Sequence, residues 1–155
     1  RGFLLRMAAL FTLPWLTLRG SHAQNAQSVQ SVQSETVDAV IKRITGGAAV
    51  QEGRVKLEIP VLADNGNSVS LRVVVDSPMT AGNHVKSIHL IAPKNPRPGV
   101  ASFFYGAGAG RPQISTRIRL SGSQGVIAIA ALSDGSYWSA TAEVAVTVSA
   151  CWDAS

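Results

Sequence analysis

One cysteine, Cys151, stands four residues from the last residue of this 155-residue chain. A thiol can hold a covalent cargo, exchange with disulfides or ligate a metal, in each case as the thiolate. A lone cysteine cannot close an internal disulfide, so in an oxidising compartment it is reactive, paired with another molecule, or buried and inert. Its neighbours do little to activate it. The ordinary thiol pKa of about 8.5 leaves only a few per cent thiolate at neutral pH. Asp153 opposes ionisation, and no Lys, Arg or His lies in the ten residues before Cys151. Activation must come from elsewhere in the fold or from another protein, which fits a carrier better than a self-contained cysteine enzyme.

Other residue types capable of chemistry are sparse. Met79, His84, His89 and Cys151 supply the ligand types of a blue-copper centre. Such centres usually place a histidine and then a methionine soon after the cysteine, whereas Trp152-Asp153-Ala154-Ser155 offers neither. No metal is therefore expected, and His84 and His89 read as strand or loop residues with ordinary hydrogen bonds. Gly106-Ala107-Gly108-Ala109-Gly110-Arg111 has the look of a phosphate cradle, but it lacks a Gly-Lys-Ser/Thr ending and precedes a strand-like pattern, so a hairpin loop is the better reading. Arg117 and Arg119 could attract an anion such as a sulfur oxyanion, although two arginines on the wet face of a strand are ordinarily just solvated. No Ser/His/Asp triad or paired-carboxylate spacing is visible. The chain reads as a non-enzymatic protein without a cofactor.

The elements that must position Cys151 follow from periodicity. Val37, Val40, Ile41 and Ile44 form one helical stripe, predicting a short helix over 35–44 with Ser34 as a cap and Gly46-Gly47 as its stop. Beyond Gly47 the period drops to two. Val55, Leu57, Ile59 and Val61 alternate with polar or proline residues, Asp64-Asn65-Gly66-Asn67 supplies turn chemistry, and Val69, Leu71, Val73 and Val75 resume the alternation. Further strands are predicted over 84–92, 100–105, 114–120, 126–132 and 137–149. In the last, Trp138, Ala140, Ala142, Val144, Val146 and Val148 share one face. About seven short strands point to an all-β antiparallel sandwich with a short N-terminal helix. Continuing the last strand delivers Cys151 just past the end of pairing, where it would project from the domain.

Residues 1–23 have the layout of an export signal: basic Arg1 and Arg6, an apolar run from Met7 to Leu18, and Ser21-His22-Ala23 as a small-x-small cleavage site. That run is about twelve residues, short of the roughly 20 that span a bilayer. Arg1-Gly2-Phe3-Leu4-Leu5 is similar to the second half of a twin-arginine motif, so the leader is expected to be incomplete. The remainder is expected in the periplasm, without membrane contact after cleavage. Three of the 14 lysines and arginines, Arg1, Arg6 and Arg19, lie in the leader, leaving 11 against nine acidic residues. With so little net charge and no basic run interleaved with aromatics, nucleic acid is not an expected partner. Residues 24–34 are polar and nearly repetitive, as in Ser28-Val29-Gln30-Ser31-Val32-Gln33, and read as a flexible linker. One domain is expected over 35–148, with residues 149–155 as a C-terminal arm.

A more specific signal comes from ordered short matches. Ile44-Thr45-Gly46-Gly47, Asn65-Gly66-Asn67, Val75-Asp76-Ser77-Pro78-Met79-Thr80, Val85-Lys86, Ala101-Ser102-Phe103, Ser115-Thr116-Arg117-Ile118-Arg119-Leu120, Ser133-Asp134-Gly135-Ser136 and Val146-Thr147-Val148 resemble SoxY, the thiosulfate-oxidation carrier family. The resemblance implies an immunoglobulin-like sandwich that forms a heterodimer with a SoxZ-like subunit. It also implies covalent attachment of sulfur intermediates to a cysteine on a mobile C-terminal arm, here Cys151. Transient partners would be the c-type cytochrome SoxAX, the hydrolase SoxB and, in some systems, the sulfur dehydrogenase SoxCD. The family's arm usually reads Gly-Gly-Cys-Gly-Gly, whereas this chain has Ser149, Ala150, Cys151 and Trp152. Ser149 and Ala150 keep the segment slim but stiffen it, and Trp152 sets a bulky ring beside the thiol. The alternative is a divergent sandwich interaction module whose Cys151 is vestigial or links two chains.

Overall fold

The computed structural model describes residues 35–150. The predicted leader and the whole of the linker, with Ser34, lie outside them, as do Cys151 and Trp152. The first element is helix α1, Val37–Thr45. Its N-cap is Thr36 and not the predicted Ser34: Thr36 has extended backbone and its hydroxyl accepts from the Ala39 amide at 3.2 Å. Thr36 wins because it immediately precedes Val37, where the apolar stripe begins. Asp38 in the first turn and Lys42 and Arg43 in the last complement the helix dipole. Gly46, at φ 65°, ends the helix by donating to the Lys42 carbonyl. Val40 is fully buried against Ile91 and Ile129, with Ile127 and Tyr137 alongside.

The strands are β1 (Val50–Glu52), β2 (Val55–Glu58), β3 (Leu62–Asn65), β4 (Val69–Val75), β5 (Val85–Ile91), β6 (Gly99–Phe104), β7 (Gln113–Ile118), β8 (Gln124–Leu132) and β9 (Tyr137–Val148). One sheet has the order β1-β9-β8-β5-β6, with β3 also on β9; the other has the order β2-β4-β7. The predicted all-β sandwich with its short helix is therefore present, with nine strands among the described residues where seven were expected.

One of the two additional strands, β3, has a physical explanation. β2 and β4 pair antiparallel, Val55 opposite Val75, as their matched alternation predicts. They are not joined by a simple hairpin, however. Proline at position 60 has no N–H to extend the ladder, and the chain crosses to the other sheet, where the Val61 carbonyl accepts from Ala145 and β3 runs parallel to the end of β9. Val55, Leu57 and Ile59 pack on the core, but Val61, expected inside, is 80% exposed because the crossing has broken the period. β1 pairs parallel with the start of β9. The 12-residue β9 thus has its outer edge covered near both ends.

The core between the sheets is built from Val69, Leu71, Val73 and Val75 of β4, Ile88 and Leu90 of β5, and Val126, Ala128, Ala130 and Leu132 of β8. β8 is buried on both sides: its alternate residues Ile127 and Ile129 lie under α1. That accounts for its uninterrupted apolar sequence. Along β9, Trp138, Val144 and Val146 pack on this core, whereas Val148, at 59% exposure, has run past it.

Candidate functional site

Cys151, the predicted attachment point, and Trp152 lie outside the described residues. The described chain nevertheless leads up to Cys151, and the way it is held there defines the candidate site. After β9 ends at Val148, Ser149 is exposed, but Ala150 is only 6% exposed and its amide donates to the Leu120 carbonyl at 3.0 Å. Leu120 in turn donates to the Gly66 carbonyl at 2.8 Å, and Gly66 donates to the Val148 carbonyl at 2.7 Å. Three distant backbone segments are thereby clasped at the point where the chain continues to Cys151. Ser149 and Ala150 were expected to form a projecting arm; the described chain is fastened to the body as far as Ala150.

Residue type at this junction is set by space. A Cβ on Gly66 would strike the Leu120 carbonyl oxygen and lie 2.8 Å from the Ala150 nitrogen. Only glycine lets the backbones approach so closely. Asn65 shapes the same corner by accepting from the Asn67 amide with its side chain at 2.8 Å. The sequence reading took Asn65-Gly66-Asn67 as a turn, and missed that it braces the C-terminal exit. The glycine was the available signal, but its contact partners are some 50 and 80 residues away and leave no local pattern.

A buried polar network supports the clasp from beneath. Asn95, 5% exposed, donates to the Arg119 carbonyl and accepts from the Ser121 amide and from Gln124 Nε2. Gln124 Oε1 accepts from the Lys94 amide, while Ser123 Oγ accepts from the Val146 amide on β9. The loop after β5, the turn between β7 and β8, and the end of β9 are thus one hydrogen-bonded unit. Among the described residues no buried side-chain nitrogen or oxygen lacks a partner, so the network is internally satisfied and rigidifying.

The other singled-out residues are dispersed. Met79 packs on the core edge, and its sulfur accepts from the Val85 amide. His84 Nδ1 lies 3.2 Å from the Thr80 carbonyl. His89 sits on the outer face of β5 with Nε2 at 2.9 Å from Ser87 Oγ and Nδ1 at 2.8 Å from Ser102 Oγ. Burial, and then the nearby Arg43 charge, push its pKa below the usual histidine value. Among the described residues, no three His, Cys, Asp or Glu side chains converge as a metal site. Arg117 is exposed on β7, with the exposed Arg119 two residues on. The Gly106–Arg111 segment connects β6 to β7 and precedes a strand and not a helix.

The profile described as "Sulfur oxidation protein SoxY" matches residues 41–151, from within α1 through the cysteine. The chain belongs to the SoxY family. Family membership implies a carrier role in sulfur oxidation, and SoxY proteins are generally non-catalytic carriers of the Sox system. Among solved structures, the sulfur carrier protein SoxY from Chlorobium limicola f thiosulfatophilum is similar at 25% identity with a TM-score of 0.61, covering 72% of this chain and 91% of that one. A superoxide reductase (neelaredoxin) variant from Ignicoccus hospitalis aligns at 21% identity with a TM-score of 0.55, over 72% of this chain and 89% of that one. The putative superoxide reductase from Thermotoga maritima aligns at 17% identity with a TM-score of 0.53, over 63% of this chain and 87% of that one. These two likenesses concern the fold alone. No curated protein matches the chain. No helix among the described residues is long and apolar enough to cross a membrane.

Proposed function

We propose that this SoxY-family chain is an exported covalent carrier of sulfur intermediates in periplasmic thiosulfate oxidation, with Cys151 as the attachment residue. The observation that carries the reading is that the family match runs through Cys151, the only cysteine in the chain. The clasp at Ala150 supports it mechanically. A carrier must present a short reactive segment from a firm base, and here a satisfied hydrogen-bond network fastens the residue that precedes the thiol.

Loading joins the Cys151 sulfur to the sulfane sulfur of thiosulfate. The new S–S bond releases two electrons, accepted by a SoxAX-like cytochrome, and the thiol proton goes to solvent. Water, through a SoxB-like hydrolase, then cleaves the terminal sulfone as sulfate and leaves a persulfide on Cys151; a SoxCD-like dehydrogenase is the further candidate for oxidising that sulfur. The carrier itself supplies the thiol and the reach, and a SoxZ-like subunit is its proposed permanent partner. Trp152 would dock the segment on a surface or narrow the range of enzymes that accept it.

Mass spectrometry of protein from cells oxidising thiosulfate tests the reading. Thiosulfonate or sulfane adducts on Cys151, absent from Cys151→Ser, are the expected result. A thiol that is unmodified, or only paired with itself, would reject the carrier role and leave the interaction-module reading.

A further inference from the structure

A cleft of about 240 Å³ opens where α1 meets β5 and β6, and Arg43, His89 and Ser102, one from each element, line it beside the apolar Val40 and Ile44. Pockets for drug-sized molecules start at about 300 Å³, so this space suits a single small ion with its water. Glu35 holds Arg43 through Nε at 2.9 Å and Nη2 at 3.1 Å, which leaves Nη1 for another acceptor. The same guanidinium reaches over β6, where a Cβ on Gly99 would lie 3.5 Å from Nη2. The other charged residues nearby, Asp38 and Lys42 of α1, Lys86 of β5 and Arg97 in the loop before β6, do not line the cleft, and β6 and β8 carry no charge.

His89 is the proton-sensitive member. Two hydroxyls hold its ring, Ser87 Oγ at 2.9 Å from Nε2 and Ser102 Oγ at 2.8 Å from Nδ1. A neutral imidazole has one donor and one acceptor nitrogen, so one of the two serines must spend its proton on the ring. An imidazolium donates from both nitrogens. Ser102 then accepts, and its own proton is free to turn into the cleft. Protonation thus adds a positive charge and a hydroxyl donor at one place.

We propose that this cleft binds a small free oxyanion, held by Arg43 Nη1 and the Ser102 hydroxyl and favoured when His89 is protonated. Hydrogen bonds between ionised groups of this kind are the stronger class. The anion would also relieve the repulsion by which Arg43 opposes protonation of His89. By linkage, an ion that prefers the protonated form raises the histidine pKa by the matching factor. The proposal concerns the face under α1 and does not depend on the sulfur-carrier reading.

Histidine-ring NMR of the purified chain across about pH 5 to 8 tests it. The probe is sulfate at about 50 mM, which does not titrate in that range, against chloride of equal ionic strength. The His89 pKa should be higher in sulfate, reporting a roughly threefold or greater preference of the ion for the protonated form. His84, whose Nδ1 lies against the Thr80 carbonyl outside the cleft, should not move. Ser102→Ala and Arg43→Gln should each remove about half or more of the rise, whereas Ser102→Thr, which keeps the hydroxyl, should retain it. Circular dichroism checks folding, and if one of the two disabling variants does not fold, the other decides. A His89 pKa equal in the two salts, an equal rise at His84, or a rise undiminished in the folded Ser102→Ala or Arg43→Gln chain would overturn the proposal.

Discussion

Gly66 shows how one missing side chain fixes the exit of the functional segment. Its backbone is bonded to Val148 and Leu120, and a methyl group would press on Leu120 and Ala150 together. Gly66→Ala is expected to cost about 1–3 kcal/mol, the usual range for overpacking a tight junction, read as a lowered urea midpoint without a change in slope. His89 supplies a second prediction, through pH. Its native pKa is depressed by burial and by Arg43, so below about 6.5 the unfolded chain binds the proton more readily than the folded one. Stability should therefore fall as pH drops through about 6.5 and on towards the lower native value. In His89→Gln this part of the slope should be missing from denaturation curves measured across that range, while any contribution from carboxylates persists. Asp134, whose pKa is lowered by hydrogen bonds from Ser136, acts only at more acidic pH.

At the scale of elements, α1 shows local and tertiary signals agreeing. The stripe Val37, Val40, Ile41 and Ile44 was legible because a helical face repeats every three to four residues, and it packs on the outward residues of β5 and β8. The cap was misplaced by two residues, because Ser34 and Thr36 are equally able acceptors and only the onset of helical backbone chooses between them. Thr36→Ala should lower stability by about 1 kcal/mol, measured by chemical denaturation; a loss near zero would mean that packing alone holds the helix start. β2 shows the opposite case. Its alternation was read through to Val61, but pairing with β4 stops at Glu58, before the proline at position 60, and Leu62–Asn65 join the other sheet as β3.

For the whole molecule, the central feature is the long strand β9. It pairs with β8 along one side, carries two short parallel strands on the other, and is tied to the β5–β6 loop and the β7–β8 turn at its far end. The fold thereby remains fixed up to Ala150, although regular pairing stops at Val148. A chain ending at Val148 should be less stable than one ending at Ala150 by about 1–2 kcal/mol, from the lost Ala150 hydrogen bond and buried methyl group. Equal midpoints for both truncations in thermal unfolding would show that the clasp contributes nothing to stability.

Sequence alone determined the sandwich, most strand positions, the helix and the identity of the one thiol, because these depend on which side chains face inward and on which residue types occur. Tertiary structure decided which strands share a sheet, that β1 and β3 flank β9, and that the C-terminal segment is held as far as Ala150. Those outcomes rest on backbone hydrogen bonds between segments distant in the chain. Every non-proline residue carries the same backbone donor and acceptor, so no pattern of residue types announces such bonds in advance.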